Sequence, residues 1–134
     1  MVDCLFAYGT LLAPELLHSV IGRRLEGDPA VLEDYVCRRV RRAAYPAIIK
    51  LTGASTRGNV YCGIDNLAWQ RLDDFEASLY ERQLVEPTKL DGSPIMAYTY
   101  VIADTHKERL TDEAWNFEDF RRLHLQKYLN RLPN

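Results

Sequence analysis

Leu5-Phe6-Ala7-Tyr8-Gly9-Thr10-Leu11-Leu12-Ala13-Pro14 is the stretch on which the fold turns. Residues 5–8 form a short apolar and aromatic run bounded by Gly9, the pattern of a buried strand. Residues 9–13 read as a turn. Pro14 suits the first position of a helix, where its missing N–H costs nothing. Leu16, Leu17, Val20 and Ile21 then fall on one helical face, and Gly22 supplies a C-terminal stop. A helix start after a glycine turn offers unpaired N–H groups and a partial positive charge. That combination suits an anionic ligand group.

Outward from this stretch, residues 30–32 and 35–40 read as one or two strands. Tyr45-Pro46-Ala47-Ile48-Ile49 reads as a short strand opened by proline, residues 52–56 as a polar loop, and residues 59–64 as a buried strand. Residues 67–75 carry Leu67, Arg71, Leu72 and Phe75 at helical spacing, with Asp65 or Asn66 as the cap. Residues 83–90 and 95–102 form a hairpin around Asp91-Gly92-Ser93-Pro94. Residues 115–132 read as a helix with Phe117, Phe120, Leu123 and Tyr128 on its apolar side. Regular alternation of strand and helix is absent, which argues against a doubly wound sheet. The expected architecture is α+β: a mixed or antiparallel sheet curled into a small β-barrel with flanking helices, in one domain over residues 1–134.

The chain has 134 residues and is 47% hydrophobic, enough for a core without staples. Its 17 basic and 19 acidic residues leave a formal charge of -2, which gives no global attraction to nucleic acid or anionic membrane. Cys4, Cys37 and Cys62 are odd in number and widely spaced, so reduced thiols are expected rather than a disulfide framework or zinc site. No basic leader precedes the first apolar run, and no stretch approaches the ~20 apolar residues of a membrane span. The expectation is a soluble cytoplasmic protein that binds neither membrane nor nucleic acid.

The chain contains no HExxH, CxxC, GxSxG or GxxxxGK(S/T). His18, His106 and His124 are scattered, and none of Ser19, Ser55, Ser78 or Ser93 sits in a strand–helix elbow. These absences argue against a metal enzyme, a phosphate-loop enzyme and a serine hydrolase. Two stretches remain: residues 6–11 and Leu72-Asp73-Asp74-Phe75-Glu76-Ala77-Ser78-Leu79-Tyr80-Glu81-Arg82. Leu72 and Phe75 lie three apart and face the core together. Glu76 can then border core and cleft while Asp73 and Asp74 turn outward. A carboxylate desolvated against apolar neighbours has a raised pKa and can move protons near neutrality. From spacing alone, an acidic helix end in solvent is the better reading.

Tyr8-Gly9-Thr10-Leu11, Leu72-Asp73-Asp74-Phe75-Glu76 and Tyr80-Glu81-Arg82 resemble the Y-G-(S/T)-L, L-D-x-x-E and Y-x-R motifs of the gamma-glutamylcyclotransferase-like superfamily. Tyr45-Pro46-Ala47 and Gly58-Asn59-Val60-Tyr61 resemble two further family segments. The C-terminal Trp115-Asn116-Phe117-Glu118-Asp119-Phe120, with His124 and Tyr128, is similar to the branch of the plant avirulence-induced proteins. The gamma-glutamylamine cyclotransferases are similar over the two main motifs. The resemblance implies a small barrel with a cavity between the Y-G-T-L loop and the glutamate. It implies Tyr8, Gly9, Thr10 and Leu11 as substrate-binding residues and Glu76 as the catalytic residue. The implied partner is a small gamma-glutamyl compound, whose own alpha-amine attacks its gamma-carbonyl to give 5-oxoproline and a free amine. No cofactor and no metal are implied, because the nucleophile belongs to the substrate.

Tyr80, Arg82, Tyr98 and Tyr100 are further candidates to line the cavity, although strand tyrosines also serve as packing. Arg38-Arg39-Val40-Arg41-Arg42 reads either as a phosphate patch or, better given the charge balance, as solvated arginines paired with nearby acids. The alternative to an enzyme is a binding module that holds a small acidic metabolite in the same cavity without turnover.

Overall fold

The computed structural model describes residues 2–132. In chain order they form β1 (Cys4–Ala7), a 3₁₀ turn (Thr10–Leu12), α1 (Pro14–Ile21), β2 (Gly27–Arg39), β3 (Pro46–Cys62), α2 (Asn66–Glu76) and a second 3₁₀ turn (Ala77–Leu79). Then follow β4 (Tyr80–Val85), β5 (Thr88–Lys89), β6 (Ala97–Ile102), a 3₁₀ segment (Asp104–Arg109), α3 (Phe117–Leu123) and α4 (Leu125–Arg131). Among the described residues no helix is long and apolar enough to cross a membrane.

The strands make one six-stranded mixed sheet in the order β4-β6-β1-β3-β2-β5. β1 runs antiparallel to β3 and parallel to β6. The long β3 also bridges β6 through Ile48 and Val101, so the sheet curls around its middle. It is not closed into a barrel as expected: β4 and β5 remain its edges. The reason lies in pairing length. β5 has two residues and pairs only with β2, so nothing joins it to β4.

β1 is buried along its whole length. Alternation sends Leu5 and Ala7 to one face, with Leu16, Leu17, Trp69, Leu72, Phe120 and Leu125 from the helices. Cys4, Phe6 and Tyr8 go to the other, with Leu32, Ile48, Val60, Val85 and Val101 from the strands. α1 has the expected bounds, Pro14 at its start and Gly22 in the left-handed conformation at its end. Leu16 and Leu17 are almost wholly buried; each such side chain contributes about 1.5–3 kcal/mol. α2 is capped by Asp65, whose carboxylate accepts from the Ala68 N–H at 2.8 Å.

Four sequence expectations require correction. Residues 52–56 are not a loop but the middle of the 17-residue β3. Only Ser55 and Thr56 of this segment pair with β2, opposite Glu33 and Leu32; residues 51–54 bulge out opposite Asp34, whose carboxylate accepts from the Gly53 N–H at 3.0 Å. The turn at Asp91 exists, but β4 and β6 pair from Tyr80↔Ile102 to Val85↔Ala97, and β5 leaves that hairpin for β2. The C-terminal helix is two helices broken at His124. Phe120 and Leu125 are both buried, yet five residues apart they would point about 140° from each other on a continuous helix. The break brings both inward. Finally, Cys4 and Cys62 are not reduced thiols but form a disulfide. They face each other in the β1–β3 register with Cα atoms 4.0 Å apart, a juxtaposition their separation of 58 positions hides. Cys37 is free, and burial pushes its thiol up to about 12.

Gly58 is the tightest point of this frame. A Cβ there would lie 2.2 Å from the Ala7 carbonyl oxygen and 2.8 Å from the Phe6 ring. The obstacle is backbone, so β1 itself would have to move. Gly58→Ala is expected to cost at least about 1–3 kcal/mol, read as a lowered urea midpoint; an unchanged midpoint would show that β1 is not held against β3 as described.

Candidate active site

The turn after β1 and the end of α2 meet in one cavity of about 330 Å³. Tyr8, Gly9, Thr10 and Leu11 line one side. Phe75, Glu76, Ala77 and Ser78 line another, with Tyr45, Pro46, Tyr80, Tyr100, His106, Arg109 and Tyr128 around them. The turn and Glu76 are thus brought together across 65 or more positions of sequence.

Gly9 is needed for close approach. A Cβ there would sit 3.0 Å from Pro46 Cγ, so the turn could not lie against the proline. Leu12 and Ala13 donate their N–H groups back to the Gly9 and Thr10 carbonyls. Among the described residues, the N–H groups of Gly9, Thr10 and Leu11 find no protein acceptor. They remain free for a ligand.

Three of the five tyrosines of the wall have their hydroxyls engaged. Tyr8 donates to the Tyr100 carbonyl at 2.6 Å, and Tyr80 donates to the Pro46 carbonyl at 2.6 Å. Tyr100 donates to the Asp73 carboxylate at 2.7 Å, and Asp73 is paired with Arg82 at 3.3 Å. Thr99 ties β6 to β1 by donating to the Phe6 carbonyl at 2.8 Å. These bonds hold the wall rigid and leave Glu76 as the acid the protein does not engage.

Glu76 is half-buried, and its carboxyl end is set among phenol rings. Burial alone lifts its pKa to about 8. It is close enough for its charge to help raise the pKa of Tyr8, Tyr80, Tyr100 and Tyr128, for each of which burial is the larger cause. Tyr128 is pushed up to about 12. The residue after Glu76, Ala77, holds φ 60° and ψ −160°, a region that suits glycine. This kink ends α2 and carries the chain into β4 along the cavity wall.

Of the remaining sequence candidates, Tyr80 and Tyr100 line the cavity, whereas Tyr98 and Arg82 do not. Arg82 lies over the rings of Trp69 at 4.6 Å and Tyr98 at 5.1 Å, outside the cavity wall. Position along the strand is the reason: Tyr98 shares the face of Tyr100 but packs against Trp69 on α2. Asp73 is exposed as expected, but its carboxylate is also held by Tyr100 and Arg82. Asp74 is exposed. Arg38 and Arg39 pair with Asp112 and Glu113, in line with the solvated reading of the basic run. Tyr45, Tyr128, His106 and Arg109 were not foreseen as lining residues. Tyr45 and Tyr128 lay within segments that matched the family pattern. His106 and Arg109 carried the spacing of three that a 3₁₀ segment turns into a shared face.

The fold and this cavity place the chain among the gamma-glutamylcyclotransferase-like proteins. The family model for gamma-glutamyl cyclotransferase, AIG2-like proteins matches residues 5–117, and the chain belongs to that family. Protein AIG2 C of Arabidopsis thaliana is 30% identical over 125 residues, covering 92% of this chain and 75% of the relative. AIG2-like protein D of the same plant is 31% identical over 126 residues, covering 92% and 82%. Among solved structures, an Arabidopsis thaliana protein determined in solution superimposes with a TM-score of 0.75 at 27% identity, covering 97% of this chain and 79% of the other. A gamma-glutamyl cyclotransferase shares the fold with a TM-score of 0.69 at 17% identity, covering 100% and 90%.

Two stability outcomes follow from the site. The Glu76 carboxyl has an ordinary pKa of 4.5 and a folded value of about 8. Between those values the folded protein keeps a proton that the unfolded chain releases. The associated stability is complete below 4.5 and is lost as pH rises through about 8. Relative to Glu76→Gln, the wild-type protein should therefore lose stability from pH 5 to 8, at a slope of at most about 1.4 kcal/mol per pH unit. Parallel urea midpoints for the two proteins across that range would rule this out. Separately, Ala77→Gly relieves a left-handed backbone and should stabilise the fold by about 1 kcal/mol, net of glycine's greater unfolded-state entropy. A lowered urea midpoint would count against the strain.

Proposed function

We propose that this protein is a gamma-glutamyl cyclotransferase, cleaving a gamma-glutamyl amide to 5-oxoproline and a free amine. The observation that carries the reading is the single cavity shared by the free N–H groups of the Gly9–Leu11 turn and the desolvated carboxyl of Glu76. Family membership supports it.

In this mechanism the turn receives the substrate's alpha-carboxylate on its N–H groups. The substrate folds so that its alpha-amine nitrogen meets its gamma-carbonyl carbon. Both groups already belong to one molecule, so holding them in contact removes the rotational freedom of the bonds between them and fixes a near-attack geometry. The new N–C bond forms as Glu76 takes a proton from the attacking nitrogen. The amide C–N bond then breaks as Glu76 returns that proton to the leaving nitrogen. No water is consumed. A carboxyl with a pKa near 8 suits both halves of the transfer, because it gains and gives the proton with little loss at neutral pH.

The reaction as written needs no metal. Among the described residues the one grouping of ligand-type atoms is Asp3, Cys4 and Cys62. None of the three lines the cavity, and both cysteines are spent in the disulfide.

The test is release of 5-oxoproline from a panel of gamma-glutamyl compounds by the wild-type protein and variants. Glu76→Gln keeps the shape but cannot accept the proton, so kcat should fall by about 10²–10⁴-fold while substrate binding survives. In the wild type, kcat/KM should rise with pH toward a plateau above about 8, as the carboxylate form becomes populated. Asp74→Asn and Glu81→Gln should leave turnover unchanged. Asp73→Asn should cost up to about fivefold, since it loosens the exposed ion pair behind Tyr100. Near-normal turnover in Glu76→Gln would remove Glu76 from the chemistry. Tight ligand binding with no turnover in any protein would favour the non-catalytic binding module.

A further inference from the structure

We propose that Arg109 and His106 form a cationic subsite that selects substrates whose leaving amine bears a carboxylate: gamma-glutamyl amino acids or peptides rather than gamma-glutamyl amines. The inference rests on the reaction proposed above and names its substrate class.

The two residues lie three apart in the 3₁₀ segment Asp104–Arg109. With three residues per turn, side chains at that spacing stand one above the other, and both line the cavity. The segment is tied to the end of β2. The Arg109 carbonyl accepts from the Arg41 N–H at 2.7 Å, and Leu110 bridges Val40. The pair is therefore held in place rather than carried on a free loop.

Of the nearby acids, Glu108 is exposed and makes no ion pair among the described residues, and three others are engaged elsewhere. Asp104 pairs with Lys107 at 3.0 Å, Asp112 with Arg38 and Glu113 with Arg39. Glu76 shares the cavity, yet burial is the only influence on its carboxyl, so Arg109 does not serve as its counter-ion. Among the described residues the half-buried Arg109 guanidinium has no carboxylate partner. A partly desolvated cation facing a cavity favours an anion there, and the guanidinium fork matches a carboxylate in two parallel hydrogen bonds.

Charge balance agrees. A gamma-glutamyl amino acid carries one ammonium and two carboxylates. The turn N–H groups can take the glutamyl carboxylate, and the second then needs a cation. A gamma-glutamyl amine has no second carboxylate and would leave Arg109 unpaired beside an apolar chain.

The experiment compares two substrates that differ by one carboxylate, gamma-glutamylalanine and gamma-glutamylethylamine. Kinetics are read for the wild type, Arg109→Gln, Arg109→Lys and His106→Asn, together with the Kd of each for 5-oxoproline. That product retains the glutamyl carboxylate and lacks the leaving group. The expected result is a wild-type preference for the alanine conjugate of about 10- to 100-fold in kcat/KM. Arg109→Gln should abolish it through KM, with the ethylamine conjugate and 5-oxoproline binding unaffected. Arg109→Lys should restore part of it, and His106→Asn should lower it to a smaller degree. Equal activity of the wild type on both substrates overturns the proposal without any variant, even if a variant fails to fold. Parallel losses on both substrates with weakened 5-oxoproline binding overturn it too, since Arg109 would then hold the glutamyl carboxylate. Release of 5-oxoproline from neither conjugate nor any gamma-glutamyl compound, with no binding of 5-oxoproline, would overturn the parent reaction and this subsite with it.

Discussion

Everything in this molecule depends on the seating of its first strand. β1 is four residues long, buried on both faces, and bonded on one side to β3 and on the other to β6. A strand so placed has no freedom to slip, because a one-residue shift would exchange Leu5 and Ala7 with Phe6 and Tyr8 between two unlike cores. Gly58 permits the close contact with Ala7. The cross-strand disulfide holds the other end of the same pairing. The Gly9–Leu11 turn inherits this rigidity, since it begins where β1 ends.

The cavity is built by tying three of its tyrosine hydroxyls to the frame and sparing one acid. Tyr8, Tyr80 and Tyr100 each donate to a fixed acceptor on another element. The rings then act as an apolar lining. In that lining the Glu76 carboxyl loses its hydration without gaining a cation, and its proton is held up to about 8. The same desolvation that tunes the acid costs the fold stability at higher pH. The strained Ala77 beside it is a second cost accepted at the same place.

How legible was this in the sequence? The strand, turn and helix of residues 5–21 were legible because each signal is local: an apolar run, a glycine, a proline at a helix start, a period of 3.6. Glu76 was legible only through its motif, since helical spacing by itself favoured an acidic helix end in solvent. The misreadings share the opposite character. Residues 52–56 look like a loop until Ser55 and Thr56 are seen paired with β2 and residues 51–54 bulged opposite Asp34. Cys4 and Cys62 look unrelated until the register places them face to face. Tyr98 and Arg82 looked like lining residues until they were found packed on Trp69 and off the cavity wall.

What the sequence by itself determined is therefore most of the local elements and the two motifs proposed to carry the chemistry, Tyr8-Gly9-Thr10-Leu11 and Glu76. Tertiary structure alone decided which five of the eight tyrosines line the cavity, that Asp73 braces its wall, and that His106 and Arg109 reach into it. It also decided that the curled sheet stays open. The physical reason is range. Helix starts, caps and alternation follow from forces between residues a few positions apart. A cavity is instead the space left where β1, α2, β4, β6, the 3₁₀ segment and α4 converge, and that convergence is settled by strand pairings across more than fifty positions.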